Sequence, residues 1–275
     1  MCDAGRHASP QEIAEASEPV ARIYRDVQGK PLRAYVFAPP GSTRSPKPAI
    51  LFFHGGGWSA GSAEWTFPTA QRFARLGIVS IAIDYRLSGA ATTPIEALDD
   101  TCAAFRWARQ NARELGIDPN RIGGHGVSAG GHLVAAAATR GCGSGEGRYA
   151  NGGPDALLLW SPALNVAEDG WFRKLLQGRA APEEHSPVHH IPARLAPVSI
   201  VQGAEDTLTP LSHARRFCER ATANGNRCEL NVYPMLGHLL TRNLQNQEDD
   251  YDPDPAARED GRSKHEQFVR ELWLR

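Results

Sequence analysis

The chain has 275 residues, 41% of them hydrophobic and 22% charged, with a formal net charge of −1. That length can bury one sizeable core, and a near-neutral balance excludes the broad basic footprint of a nucleic-acid or acidic-membrane binder. No stretch approaches the roughly 20 apolar residues that span a bilayer.

The first 18 residues read as a polar leader without the apolar core of a secretion signal. This fits a cytoplasmic chain, or a secreted or periplasmic one whose signal has been removed. From residue 19 to 275 a single domain is expected. The five cysteines, Cys2, Cys102, Cys142, Cys218 and Cys228, form no Cys-x-x-Cys, which argues against zinc or redox chemistry. Free thiols are the plain expectation; Cys218–Cys228 or Cys102–Cys142 bridges require an exported chain. Composition leaves the oligomeric state open.

In chain order, 20–27 and 31–38 read as two strands joined by a Gln-Gly-Lys turn. Residues 49–54 are a continuous apolar run, which suits a strand covered on both faces. Helix-period apolar residues over 66–76 end at Gly77, and 78–85 is a second buried strand. One long amphipathic helix is expected over 94–115, with Leu98, Cys102, Phe105 and Ala108 on its apolar face. A turn and a strand follow over 118–127. An Ala-rich helix over 129–139 is small enough to pack closely on a sheet. Strands at 156–160, 198–201 and 227–233 alternate with helices at 210–224 and 263–274. Residues 164–196 read as an irregular, lid-like excursion, and 245–262 as a polar loop. The order predicts an α/β fold: a mostly parallel, eight-stranded sheet with helices on both faces.

Gly126-Val-Ser-Ala-Gly130 lies between a predicted strand and a predicted helix. A serine lifted on so sharp a turn leaves no room for flanking side chains, so glycine stands at both positions. Ser128 is the expected nucleophile, and the Ala129 amide an expected oxyanion donor. His54-Gly-Gly-Gly-Trp58 follows another strand. Three successive glycines cost backbone entropy, and a loop aiming N–H groups at a developing negative charge explains that cost. Gly56 and Gly57 are the expected donors, the Trp58 amide a substitute, and His54 a structural histidine. The loop lacks the Gly-Lys-Ser/Thr or Gly-x-Gly-x-x-Gly spacing of a phosphate site.

A serine hydroxyl needs a base, and the base needs an orienting acid. His238 ends Tyr233-Pro-Met-Leu-Gly-His just beyond the last predicted strand, the expected place for the base. His132, His185, His189, His190 and His213 lie in helices or the excursion. Asp206, in the loop after strand 198–201, is the expected acid, with Glu205 as the alternative.

Together these blocks resemble the hormone-sensitive-lipase-like esterases of the α/β-hydrolase fold, nearest their capless bacterial carboxylesterases, acetyl-xylan esterases and feruloyl esterases. The resemblance also rests on Asp84-Tyr-Arg-Leu87, Asp118-Pro-Asn-Arg-Ile122 and Gly203-Ala-Glu-Asp206. It implies ester hydrolysis through a covalent acyl-enzyme, with no cofactor and no metal, by Ser128, Asp206 and His238 with Gly56, Gly57 and Ala129. It implies a structural ion pair between Asp84 and Arg86. Only 53 residues precede His54, too few beyond the leader for a full N-terminal cap. No large cap domain is therefore expected, and small or polymer-borne esters fit better than long lipid chains.

The expected partner is a small-molecule or polysaccharide-linked ester. Trp58, at the pocket mouth, with Trp160 and Leu239, should wall the pocket. Trp171-Phe172 reads as a small lid or a packed helical turn. The rival readings are an arylformamidase or small peptidase on the same fold, and a noncatalytic binding protein.

Overall fold

The structure, a computed structural model, describes residues 18–41, 45–143 and 152–274. The expected leader and Cys2 lie outside the described residues, apart from Glu18. Eight strands form one sheet in the order β1-β2-β4-β3-β5-β6-β7-β8. These are β1 (Val20–Val27), β2 (Lys30–Phe37), β3 (Lys47–Phe53), β4 (Val79–Ile83), β5 (Ile117–Val127), β6 (Leu157–Trp160), β7 (Val198–Gly203) and β8 (Cys228–Tyr233). β1–β2 and β2–β4 pair antiparallel, and the pairs from β4–β3 through β7–β8 are parallel.

β4, β6 and β7 are buried along their whole length because helices cover both faces. Ala49 to Phe53 on β3 are all fully buried. On one face α1 (Phe67–Arg75) and α7 (Pro255–Trp273) pack Phe73, Phe268 and Val269 against Phe52 and Leu158. On the other, α2 (Pro94–Gln110), α4 (Ala129–Arg140) and α6 (Leu211–Ala223) cover Leu51, Phe53 and Ile200. A Cβ on Gly124 would stand 2.7 Å from Val134 and 3.1 Å from Phe105, so glycine lets α2 and α4 close on the sheet.

Three expectations need correction. The long helix 94–115 is broken at Asn111, whose side-chain amide donates to the Trp107 carbonyl at 2.8 Å, and resumes as α3 (Ala112–Leu115). Asparagine competes for helical carbonyls in this way. The polar loop 245–262 is helical from Pro255 onward. Asp254 caps α7 by accepting from the Ala257 amide, with Pro255 at the first helical position. The four described cysteines are paired: Cys102 with Cys142 and Cys218 with Cys228, at Cα separations of 5.1 and 5.3 Å. Cross-links closing loops of this size are worth about 3–4 kcal/mol in the chain-entropy account.

The excursion between β6 and β7 holds α5 (Gly170–Leu175) and short 3-10 turns. Among the described residues no helix is long and apolar enough to cross a membrane.

Candidate active site

Ser128 stands between β5 and α4 with φ +51°, a region side chains rarely enter. Its amide donates to the Trp160 carbonyl at 2.9 Å, fixing the turn. A Cβ on Gly126 would lie 2.3 Å from the Gly130 carbonyl oxygen, and one on Gly130 2.3 Å from that of Phe53. Both flanking glycines are therefore demanded by backbone contacts. The turn raises the hydroxyl above the carboxyl ends of the strands.

The loops after β7 and β8 meet it there. His238 Nε2 lies 3.1 Å from Ser128 Oγ, and His238 Nδ1 lies 2.9 Å from Asp206 Oδ2. Asp206 and His238 are 5% and 2% exposed, so water competes little for either contact. Asp206 Oδ2 also accepts from Gln202 Nε2 at 2.9 Å and from the Thr209 hydroxyl at 2.8 Å. Its Oδ1 accepts the amides of Leu208 and Thr209 at 3.0 and 2.8 Å. A carboxylate held by so many donors is an acceptor only, so His238 carries its proton on Nδ1 and turns a lone pair toward Ser128. Glu205 does not share this position; its carbonyl accepts instead from Gln247 Nε2 at 2.9 Å.

The glycine loop after β3 lies against the same serine. A Cβ on Gly55 would stand 3.4 Å from Ser128 Cβ, and one on Gly56 would meet the Ala60 carbonyl at 2.3 Å. The Ala129 amide opens α4, where helical amides have no intrahelical acceptor. Among the described residues the amides of Gly56, Gly57 and Ala129 have no hydrogen-bond acceptor. Amides left without an acceptor, in a loop beside a serine and at the start of a helix, are the kind of donor that can stabilise an oxyanion.

His54 sits beneath this loop with Nδ1 2.7 Å from the Gly55 carbonyl, stacked 4.2 Å from the Tyr85 ring. Burial lowers its pKa to about 4, so the ring is neutral near pH 7. Trp58 is 3% exposed, because its indole N–H has a buried acceptor 3.1 Å away in His132 Nδ1 and its ring packs edge-on to Phe172. Trp160 turns its ring toward α7, edge-on to His265, and Leu239 lines the same side. In α5 Phe172 is fully buried as a packed turn, whereas Trp171 is 46% exposed and donates to the Gly57 carbonyl at 3.0 Å. Arg86 pairs with Asp100 rather than Asp84. Its guanidinium binds both Asp100 oxygens at 2.8 Å, because α2 delivers that buried carboxylate, while Asp84 accepts the Ala63 amide.

Gln247 falls in the segment read from sequence as a polar loop. Its Oε1 accepts the His238 amide at 2.8 Å and the Thr207 amide at 3.1 Å, while Nε2 takes the Glu205 carbonyl. One buried carboxamide thus ties the loop carrying Asp206 to the loop carrying His238. Nothing in its sequence neighbourhood distinguishes it. Among the described residues no group of three or more His, Cys, Asp or Glu could hold a metal ion.

The sequence profile of the α/β-hydrolase fold family matches residues 50–242. The chain belongs to that family. Within it the chain is a hormone-sensitive-lipase-like member. Carboxylesterase NlhH of Mycobacterium tuberculosis is 37% identical over 135 residues, 48% of this chain and 39% of that protein. Esterase LipC of the same organism is 28% identical over 65% of this chain and 49% of its own length. The chain thus spans less than half of these curated relatives. A thermophilic esterase from Thermogutta terrifontis, Est2, is 31% identical with a TM-score of 0.79, covering 96% of this α/β hydrolase and 94% of that chain. The same esterase, phosphonylated by sarin, aligns with a TM-score of 0.80 at 30% identity, over 97% of this chain and 98% of its own.

Proposed function

We propose that the protein is a serine carboxylic-ester hydrolase acting on short-chain or carbohydrate-linked (acetyl or feruloyl) esters through a covalent acyl-enzyme. The observation that carries this reading is the unbroken chain from Ser128 Oγ through His238 to Asp206, at 3.1 and 2.9 Å. Ser128 Oγ attacks the ester carbonyl while His238 Nε2 takes its proton. The carbonyl oxygen, now negative, settles on the amides of Gly56, Gly57 and Ala129. His238 returns the proton to the leaving alcohol, and the acyl group stays on Ser128. Water then attacks the acyl carbonyl, His238 again relaying the proton, and the carboxylic acid departs. Asp206 holds the imidazole in the required tautomer and balances its transient charge. Capture of the Thermogutta esterase by an organophosphonate, which bonds to an activated nucleophile, supports the same chemistry here.

The small excursion above Ser128, with Trp171 resting on Gly57, favours compact acyl groups. Initial rates on p-nitrophenyl esters from C2 to C12, with acetylated xylan, methyl ferulate and N-formylkynurenine alongside, test this. Fastest turnover is expected at C2 to C4, falling at least tenfold by C8. Preference for C8 or longer, or for the formamide, would replace the reading.

Gln247→Met keeps the volume of Gln247 but leaves the amides of His238 and Thr207 without their acceptor. Buried donors left unpaired cost about 1–3 kcal/mol each, and a slight misplacement of a catalytic base costs up to roughly 100-fold. The variant is expected to lose about 10- to 100-fold in kcat with little change in KM. Gln247→Glu, which still accepts from both amides, should recover part of that loss. Wild-type kcat in Gln247→Met would show that the two loops hold their geometry without it.

A further inference from the structure

On the sheet face covered by α1 and α7, away from α4, lies a cavity of about 70 Å3. Its polar wall is formed by Thr69, His125, Arg258, Arg262 and His265. Phe73 and the Trp160 ring make an apolar wall, closed by Val127 and Leu239. Three buried polar atoms along it have no hydrogen-bond partner: His125 Nδ1, His265 Nε2 and Arg258 Nε. Folded proteins pair nearly all such atoms, so three around one space call for an occupant.

Charge indicates which kind. Burial, and then the neighbouring Arg262, push the Arg258 guanidinium pKa below its ordinary value. Arg258 is half-buried, with its Nε shielded from solvent; an arginine cannot escape by losing its proton, and a charge drawn out of water is costly unless paired. Among the described residues no carboxylate forms an ion pair with Arg258. The carboxylate that Arg262 reaches, Glu259, is 3.6 Å away and is held more closely by Arg72 at 2.7 Å. The two histidines do not supply negative charge. Burial keeps both neutral near pH 7, with the pKa of His125 lowered to about 4. His125 has no other partner among the described residues, so its ring proton is free to sit on Nδ1 as a donor.

The geometry points to a binding site for a small carboxylate of acetate or propionate size, separate from Ser128. The guanidinium fork of Arg258 matches a carboxylate's two oxygens. Arg262 and His125 Nδ1–H supply further donors, and the short alkyl group lies on Trp160 and Phe73. A phosphate would leave that apolar wall unused. The two residues that close the cavity, Val127 and Leu239, are chain neighbours of Ser128 and His238. An occupant therefore touches both loops that carry the reacting pair. Short carboxylates are also what a short-chain esterase releases. That link to product rests on the esterase reading, whereas the binding does not.

The test reads binding without turnover. Tryptophan fluorescence is followed as sodium acetate or propionate is added at constant ionic strength against sodium chloride. Wild type, Ser128→Ala, Arg258→Met and Arg262→Gln are compared. Saturable binding below about 10 mM is expected in wild type and Ser128→Ala, with chloride inert. Arg258→Met should weaken it at least tenfold and Arg262→Gln several-fold. No saturation by 100 mM, which would leave water as the occupant, overturns the site. So does unchanged affinity in Arg258→Met, which would place the anion elsewhere. If circular dichroism shows Arg258→Met unfolded, Arg262→Gln decides: weakening supports the site and unchanged affinity refutes it. Failure here leaves ester hydrolysis standing, and an inactive protein that binds acetate leaves the site standing.

Discussion

Ser128→Ala is expected to lower kcat on p-nitrophenyl acetate by roughly 10^6-fold, with the fold intact. Removing the nucleophile of such a triad costs about that much, because base and acid then have nothing to activate. Whatever remains comes from the free amides and from binding, typically ~10^3- to 10^4-fold above water. Among the described residues His238 is the hydrogen-bond partner of the Ser128 hydroxyl, and the Ser128 backbone amide keeps its bond to Trp160 in the variant. The positive φ is as tolerable for alanine as for serine, since the relief comes from Gly126 and Gly130. The thermal midpoint should therefore stay within a few degrees of wild type. Near-normal turnover in a folded Ser128→Ala protein would remove the serine from the chemistry.

The second large effect is expected at Asp206→Asn, with kcat falling roughly 10^4-fold and KM little changed. Asp206 Oδ2 faces three donors: Gln202 Nε2, the Thr209 hydroxyl and His238 Nδ1. An asparagine that turns its carbonyl oxygen to this side points its NH2 at the amides of Leu208 and Thr209. One that turns the other way points NH2 at His238, and the imidazole proton moves to Nε2, toward Ser128. Either way the base loses its tautomer or its orientation. A crystal structure or histidine NMR of the variant would show the changed hydrogen bond. Full activity with that bond altered would show that Asp206 only supports the loop.

Much of this site is legible in the sequence, because its constraints are steric and local. Gly126 and Gly130 stand where a Cβ would strike backbone, and the apolar runs at 49–54 and 78–85 are the strands that present the loops. The order of Ser128, Asp206 and His238 follows from the order of the strands. Side-chain partnerships across the fold were not legible. The hydrogen bond that buries the Trp58 indole is one of them, because its acceptor, His132, lies 74 positions away. Arg86 finds Asp100 on α2 instead of its near neighbour Asp84, a choice made by helix packing. Gln247 sits among polar residues in a stretch with no periodicity, and only the closure of the β7 and β8 loops gives it a role. The start of α7 was missed because the acidic run hid Asp254-Pro255 as a cap. The cysteine pairs depend on where α2, α4 and α6 come to rest, which spacing alone does not fix.

The central claim is that Ser128 is the single activated nucleophile of this chain. Incubation of the intact protein with a fluorophosphonate, followed by mass spectrometry of the whole chain and its peptides, tests this most directly. One adduct per chain is predicted, on the peptide containing Gly126 to Gly131, with loss of esterase activity in proportion and no adduct on Ser128→Ala. An unlabelled wild-type protein, or an adduct that persists in Ser128→Ala, would contradict the account.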